Sequence, residues 1–191
     1  MKKIICIALC VLMTAALLPA LADTFYNSLA YSFAFDYPEE GYYDDTSDAG
    51  YDQDNSNWYA GSIFAYADDG LNWDIYIYQE NDYASFNLSD HTPETDSAFS
   101  DYCAAFESWF ASKELETIGY CRSTKDNVIF AVGRGINPDR GQVVIADTMM
   151  YGWEVNIVFY AYADGSFTDY RDLTNADYEL IGQILESFAR K

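Results

Sequence analysis

The densest chemistry in the sequence is the run of acids between Glu39 and Asn57, where Asp44, Asp48, Asp52 and Asp54 share one short polar stretch. Carboxylate oxygens at that density suit a hard divalent cation, calcium above all. A standard calcium loop also needs acids at alternate positions, glycine at the sixth and glutamate at the twelfth. Counted from Asp52, the sixth residue is Asn57 and the twelfth is Ile63; counted from Asp44 or Asp45, the twelfth is Asn55 or Ser56. The standard loop is excluded. An irregular calcium site built from these aspartates is one remaining reading, and a solvated connection whose charge keeps the chain dissolved is the expected one. No other cofactor is implied.

Nucleophilic chemistry is poorly supplied. The single histidine, His91, sits just before a helix-like segment, and a cysteine–histidine dyad would need an exposed, ionised thiol. No nucleophile elbow, phosphate loop or dinucleotide fingerprint occurs, and histidine and cysteine are too few for an ordinary zinc site. Two placed carboxylates suffice to hydrolyse a glycoside, but among 31 acidic residues no pair stands out. The chain is therefore expected to be non-enzymatic, with a carboxylate-based hydrolase as the rival from the enzyme class.

Aromatic rings are the other resource, with 18 Tyr, 12 Phe and 4 Trp. Flat rings stack on sugars and anchor protein partners. Trp58, Tyr59, Tyr76, Tyr78, Trp153, Tyr160 and Tyr162 lie in strand-like runs, where most of them are expected to fill a core. Tyr76 and Tyr78 alternate with Ile75 and Ile77, so the two pairs face opposite sides of a strand. The tyrosines are the outer pair in this reading and the candidate contacts for a ligand or partner.

The elements that must position these groups follow from period and punctuation. Tyr31, Phe33, Phe35 and Tyr37 alternate with small or polar residues, the period of a half-buried strand, and Pro38 ends it. Two strand-like runs, "WYAGSIFAYAD" and "NWDIYIYQE", flank Asp68-Asp69-Gly70 and read as a hairpin. In "TPETDSAFSDYCAAFESWFASK" the apolar residues Phe99, Tyr102, Cys103, Phe106, Trp109 and Phe110 recur at steps of three and four, one face of a helix, with Thr92 and Pro93 as its start. Four strand candidates follow with short, turn-like links, which implies antiparallel neighbours. The chain closes on an amphipathic helix with a capping box at Thr174 and Asp177, a stripe of Tyr178, Ile181, Leu185 and Phe188, and Arg190 and Lys191 suited to its C-terminal dipole.

This order, opened by "FAFDYPEEGY" from Phe33 to Tyr42, resembles the PsbP-like fold, known from the extrinsic photosystem protein PsbP and from exported bacterial proteins of unassigned role. Tyr42 stands where a tryptophan is usual in that family. The resemblance covers about residues 31–191 and implies an α+β protein, an α/β/α sandwich around a central, mainly antiparallel sheet. It implies a non-enzymatic role and transfers no site residue, because one fold hosts unrelated functions.

Compartment and charge narrow the partners. Lys2 and Lys3 precede an apolar run that ends Ala20-Leu21-Ala22, the pattern of a secretory signal cut after Ala22. A membrane anchor would need roughly 20 apolar residues and a charged stop flank, whereas Asp23-Thr24 follows here. Leu9 before Cys10 argues against a lipoprotein. The expected product is a free exported protein, secreted or held in the periplasm or envelope, with one domain over residues 23–191 that includes an acidic loop over 39–57. Loss of the two lysines moves the formal charge from −21 to −23. Such a field repels nucleic acid, which needs clustered Lys and Arg, and leaves envelope or extracellular proteins and glycans as partners. Cys103 and Cys121 survive processing, and export favours their oxidation. A disulfide between them is expected, closing a loop of about 18 residues worth roughly 3 kcal/mol; two buried thiols are the alternative.

Overall fold

The computed structural model describes residues 23–27, 33–37, 44–46, 50–52, 57–65, 70–91, 97–163 and 169–190. The expected helix start at Thr92 and Pro93, the signal segment, Asp48, Asp54 and Lys191 lie outside those residues.

The protein is α+β, with a large antiparallel sheet and, among the described residues, two α-helices. β1 (Asp23–Asn27), β2 (Phe33–Tyr37) and the closing β12 (Ala189–Arg190) form a small sheet in the order β1-β2-β12. The large sheet runs β3 (Asp44–Thr46), β5 (Asn57–Ala65), β6 (Leu71–Gln79), β10 (Trp153–Tyr162), β9 (Gly141–Met150), β8 (Ile129–Asn137), β7 (Leu115–Arg122). β4 (Gly50–Asp52) adds to β5 and β11 (Tyr170–Arg171) to β10. The expected hairpin is the antiparallel pair β5–β6, and the four later strands pair antiparallel as their short links require. The link between β9 and β10 places Tyr151 and Gly152 at φ 51° and 82°, the double positive φ that a tight hairpin turn demands.

One helix covers each face of this sheet. On one side Ile75, Ile77, Phe130, Ile157 and Phe159 pack with Ile181, Ile184 and Leu185 of α2 (Asn175–Ser187) and with Phe33 and Phe35 of the small sheet. Phe188, just past α2, ties the layers together: its ring lies 4.7 Å from that of Phe33 and 4.9 Å from that of Phe130. On the other side α1 (Ser97–Ser112) sets Phe99, Tyr102, Phe106 and Phe110 on Ile129, Ala131, Val143, Ile145 and Met149. Gly133 makes room for the Phe110 ring, whose carbons would sit 2.9 Å from an added Cβ. The capping box at Thr174 and Asp177 forms as its sequence implies, and Arg171 clamps the same carboxylate at 2.6 Å.

The structure corrects four expectations. Cys103 and Cys121 are both free thiols. Cys103 packs among the residues under α1, while Cys121 packs on the α2 side, so the sheet stands between them. Trp109, placed on the apolar face of the helix, lies at the margin of its stripe and is 40% exposed. The acidic stretch over 39–57 is more than a connection, because β3 and β4 pair with β5 along the sheet edge. Arg190, expected at the end of the closing helix, lies instead in β12 and binds Asp126 at 2.8 Å.

Candidate functional site

Side chains on one face of an antiparallel sheet line up across strands wherever the register pairs them. In β6 the residues Asp74, Tyr76 and Tyr78 share the α1 face, opposite the fully buried Ile75 and Ile77. The register sets Tyr78 beside Glu154, and Tyr76 beside Asn156, on β10. It continues from Glu154 to Met149, and from Asn156 to Asp147, on β9. Helix α1 packs on β7, β8 and β9, and beside it the face carries a polar and aromatic floor of Tyr76, Tyr78, Glu154 and Asn156.

A groove of about 560 Å³ opens over that floor, lined by Tyr76, Tyr78, Glu80, Trp109, Lys113, Glu154 and Asn156. A cavity of about 160 Å³ continues under α1 between Tyr83, Tyr102, Phe106 and Met149, and shares Glu80, Trp109 and Glu154 with the groove. Trp109 forms the helix-side wall. Lys113 follows the last turn of α1, where its backbone N–H donates to the Phe110 carbonyl at 3.0 Å.

Two carboxyls meet at the bottom. Asp147 has no exposed surface and accepts from Asn156 Nδ2 at 2.8 Å and from the Tyr102 hydroxyl at 3.3 Å. Burial pushes its carboxyl well above the usual carboxylate range, and the neighbouring Glu154 adds to the rise. Glu154 is also raised, by burial first, while its hydrogen bond with Asp147 pulls it back. This is the pattern of two acids sharing one proton. Glu154 is the member that faces the groove. Glu80, next along the wall, is raised by burial and by the charges of Glu154 and Asp82.

A second polar cluster begins where the groove ends. Asp74, only 2% exposed at its side chain, binds Arg140 Nη1 at 2.5 Å. It accepts from the Tyr160 hydroxyl at 3.0 Å and the Tyr76 hydroxyl at 3.1 Å. The Arg140 guanidinium also lies 4.9 Å from the centre of the Tyr160 ring. Arginine arrives from the turn between β8 and β9, where the Asn137 side chain accepts from the Asp139 N–H at 2.8 Å. Burial still raises the Asp74 carboxyl, the arginine charge being the chief opposing influence.

Of the residues singled out from sequence, Tyr76 and Tyr78 are brought together in the groove wall, and both are half-buried. Tyr160 instead serves Asp74, and Trp153 packs beside the α2-side core. Asp44 and Asp52 are placed in β3 and β4, and among the described residues no group of metal-ligating side chains occurs. Both thiols are raised to about 11 by burial, which disqualifies them as nucleophiles near neutral pH. His91 stacks on Phe86 at 4.8 Å, away from the groove. Sequence reasoning missed Glu154, Asp147, Asn156 and Trp109. A signal for three of them was present, since "IADTMM" and "WEVNIV" each carry polar residues inside an otherwise apolar strand.

No helix among the described residues is long and apolar enough to cross a membrane. No protein-family model, characterised protein or solved structure matches the chain, so what this groove receives has to be argued from its own side chains.

Proposed function

We propose that the protein is an exported binding or scaffolding domain, acting at the cell envelope or outside the cell without chemistry of its own, and that its ligand or partner enters the groove between Trp109 and Tyr76 and Tyr78. The observation that carries this reading is the groove itself: the exposed Trp109 and the half-buried Tyr76 and Tyr78 stand beside buried, hydrogen-bonded polar groups in a concave site, the combination that ligand sites use for area and orientation. The resemblance of the sequence to the PsbP-like fold is the ground for the non-enzymatic reading. The leading lysines and apolar run support export.

The hydrolase reading keeps one observation in its favour, the proton-sharing pair of Asp147 and Glu154. Hydrolysis of a glycoside calls for two acids flanking the bond; Asp147 lies beneath the groove, so Glu80 would have to be the second acid beside Glu154 in its lining. A calcium-dependent module built on Asp44, Asp48, Asp52 and Asp54 is the remaining rival.

The test is the melting temperature of wild type, Trp109→Ala and Tyr78→Ala against soluble oligosaccharides, cell-wall fragments and calcium. A true ligand at about 100 times its dissociation constant adds roughly 2.7 kcal/mol. We expect an upward shift in wild type that both substitutions abolish. A shift with calcium that both variants retain would move the site to the acidic stretch, and glycoside turnover lost in Glu154→Gln would establish the hydrolase.

A further inference from the structure

The same sheet face already holds one organic cation. Asp74, Tyr76 and Tyr160 receive the Arg140 guanidinium with a carboxylate, a hydroxyl and a ring face. Two residues further along β6, Tyr78 stands across the strands from a carboxylate, Glu154. Glu80 and the half-exposed Trp109 complete the walls. Carboxylates beside aromatic faces attract cations twice, through the charge and through the ring quadrupole.

We propose that the groove binds an organic cation, a primary ammonium or guanidinium on a slender aliphatic chain, whether from a free polyamine or from a basic side chain of a peptide. This rests on the groove being the binding site. The charged end sits against Glu154 and Glu80, and the aliphatic chain lies along Trp109 and Tyr78. The chain's formal charge of −21 draws such ligands in. Lys113 is the one cation among the groove's described lining residues, and it competes with the ligand for the two glutamates.

Protons compete as well. The groups that face Glu154 and Glu80 are Asp147 on β9, Asp82 and Tyr83 after β6, Tyr102 on α1, and Lys113 at its end. All but Lys113 are neutral or negative. Burial raises both carboxyls, so protons compete with a cation for them and affinity rises as the carboxyls ionise.

Calorimetric titration of the purified protein with 1,5-diaminopentane, n-butylguanidinium, a lysine-containing tripeptide and a neutral oligosaccharide tests this. At least one cation is expected to bind, about tenfold more weakly in Glu154→Gln and in Trp109→Ala, and severalfold more tightly in Lys113→Gln. Binding should strengthen as the pH is raised. The diamine and tripeptide arms separate a free polyamine from a peptide side chain. Trp109 is exposed enough for its alanine variant to fold, which melting would verify. Binding of the neutral sugar alone, lost in Trp109→Ala, would overturn the cation while leaving the groove as the site. Cation binding indifferent to Trp109 and Glu154 would overturn both, since unlocalised surface charge would then explain it. Absence of binding by every cation at millimolar concentration would also overturn the proposal.

Discussion

Asp74 is a carboxylate in the middle of a strand, a position at which an isolated charge would cost several kcal/mol. Arg140 and two tyrosine hydroxyls offset that cost, so removal of the arginine leaves a buried charge with hydroxyl donors alone. Arg140→Ala is expected to destabilise the protein by about 2–3 kcal/mol, somewhat less than the ~3–5 kcal/mol of a fully buried pair because the arginine is partly exposed. The pH dependence has a definite sign. The folded carboxyl of Asp74 lies above its ordinary value already, so its contribution is fully present below that value and is lost as pH rises through the folded pKa. Without Arg140 the folded pKa rises further. Urea unfolding should therefore find a larger loss at pH 7 than at pH 4.5, and an equal loss at both would refute the account. Little of this was legible in sequence: "NWDIYIYQE" shows an aspartate in a strand, but its partner comes from a turn 66 positions away.

At the scale of elements, period and punctuation foresaw most of what forms. The stripe on α1, the capping box on α2 and the four antiparallel strands after Leu115 all follow from local pattern. The cysteine pairing failed because spacing says nothing about which side of a sheet each element faces. Cys103 lies beneath α1 and Cys121 faces α2, and a bridge needs Cα atoms within about 7 Å and Cβ vectors that converge. The measurable consequence is that protein purified under oxidising conditions keeps both thiols. Unfolded protein comprising residues 23–191, which carries only Cys103 and Cys121 of the four cysteines, should take up two equivalents of alkylating reagent without prior reduction. The folded form should react at pH 7 about a hundredfold more slowly than an ordinary exposed thiol, since both thiols sit near 11. Recovery of no thiol before reduction would restore the disulfide. Trp109 teaches a similar lesson: a step of three from Phe106 puts it close to the stripe, and only the extent of the sheet beneath α1 decides that its ring borders open space.

For the whole molecule, the dominant quantity is charge. A chain of −21 repels itself when compact, and an exposed ion pair such as Arg134 with Glu116 contributes little against that field. Screening by salt should therefore stabilise: raising sodium chloride from 0.02 to 0.5 M, which shortens the Debye length from roughly 20 Å to about 4 Å, is expected to lift the melting temperature by several degrees. A flat or falling response would mean that local pairs outweigh the net field. Composition and pattern by themselves determined the acidic field, the α+β class, the two amphipathic helices and the alternation that turns Tyr76 and Tyr78 away from Ile75 and Ile77, because each depends on residues close in the chain. The tertiary structure alone decided that Glu154, Asp147, Asn156 and Trp109 meet those tyrosines, that the two thiols part, and that Asp74 finds its arginine. Those outcomes depend on strand order and on how far one helix reaches across a sheet, and both are settled by packing between segments that local pattern cannot see.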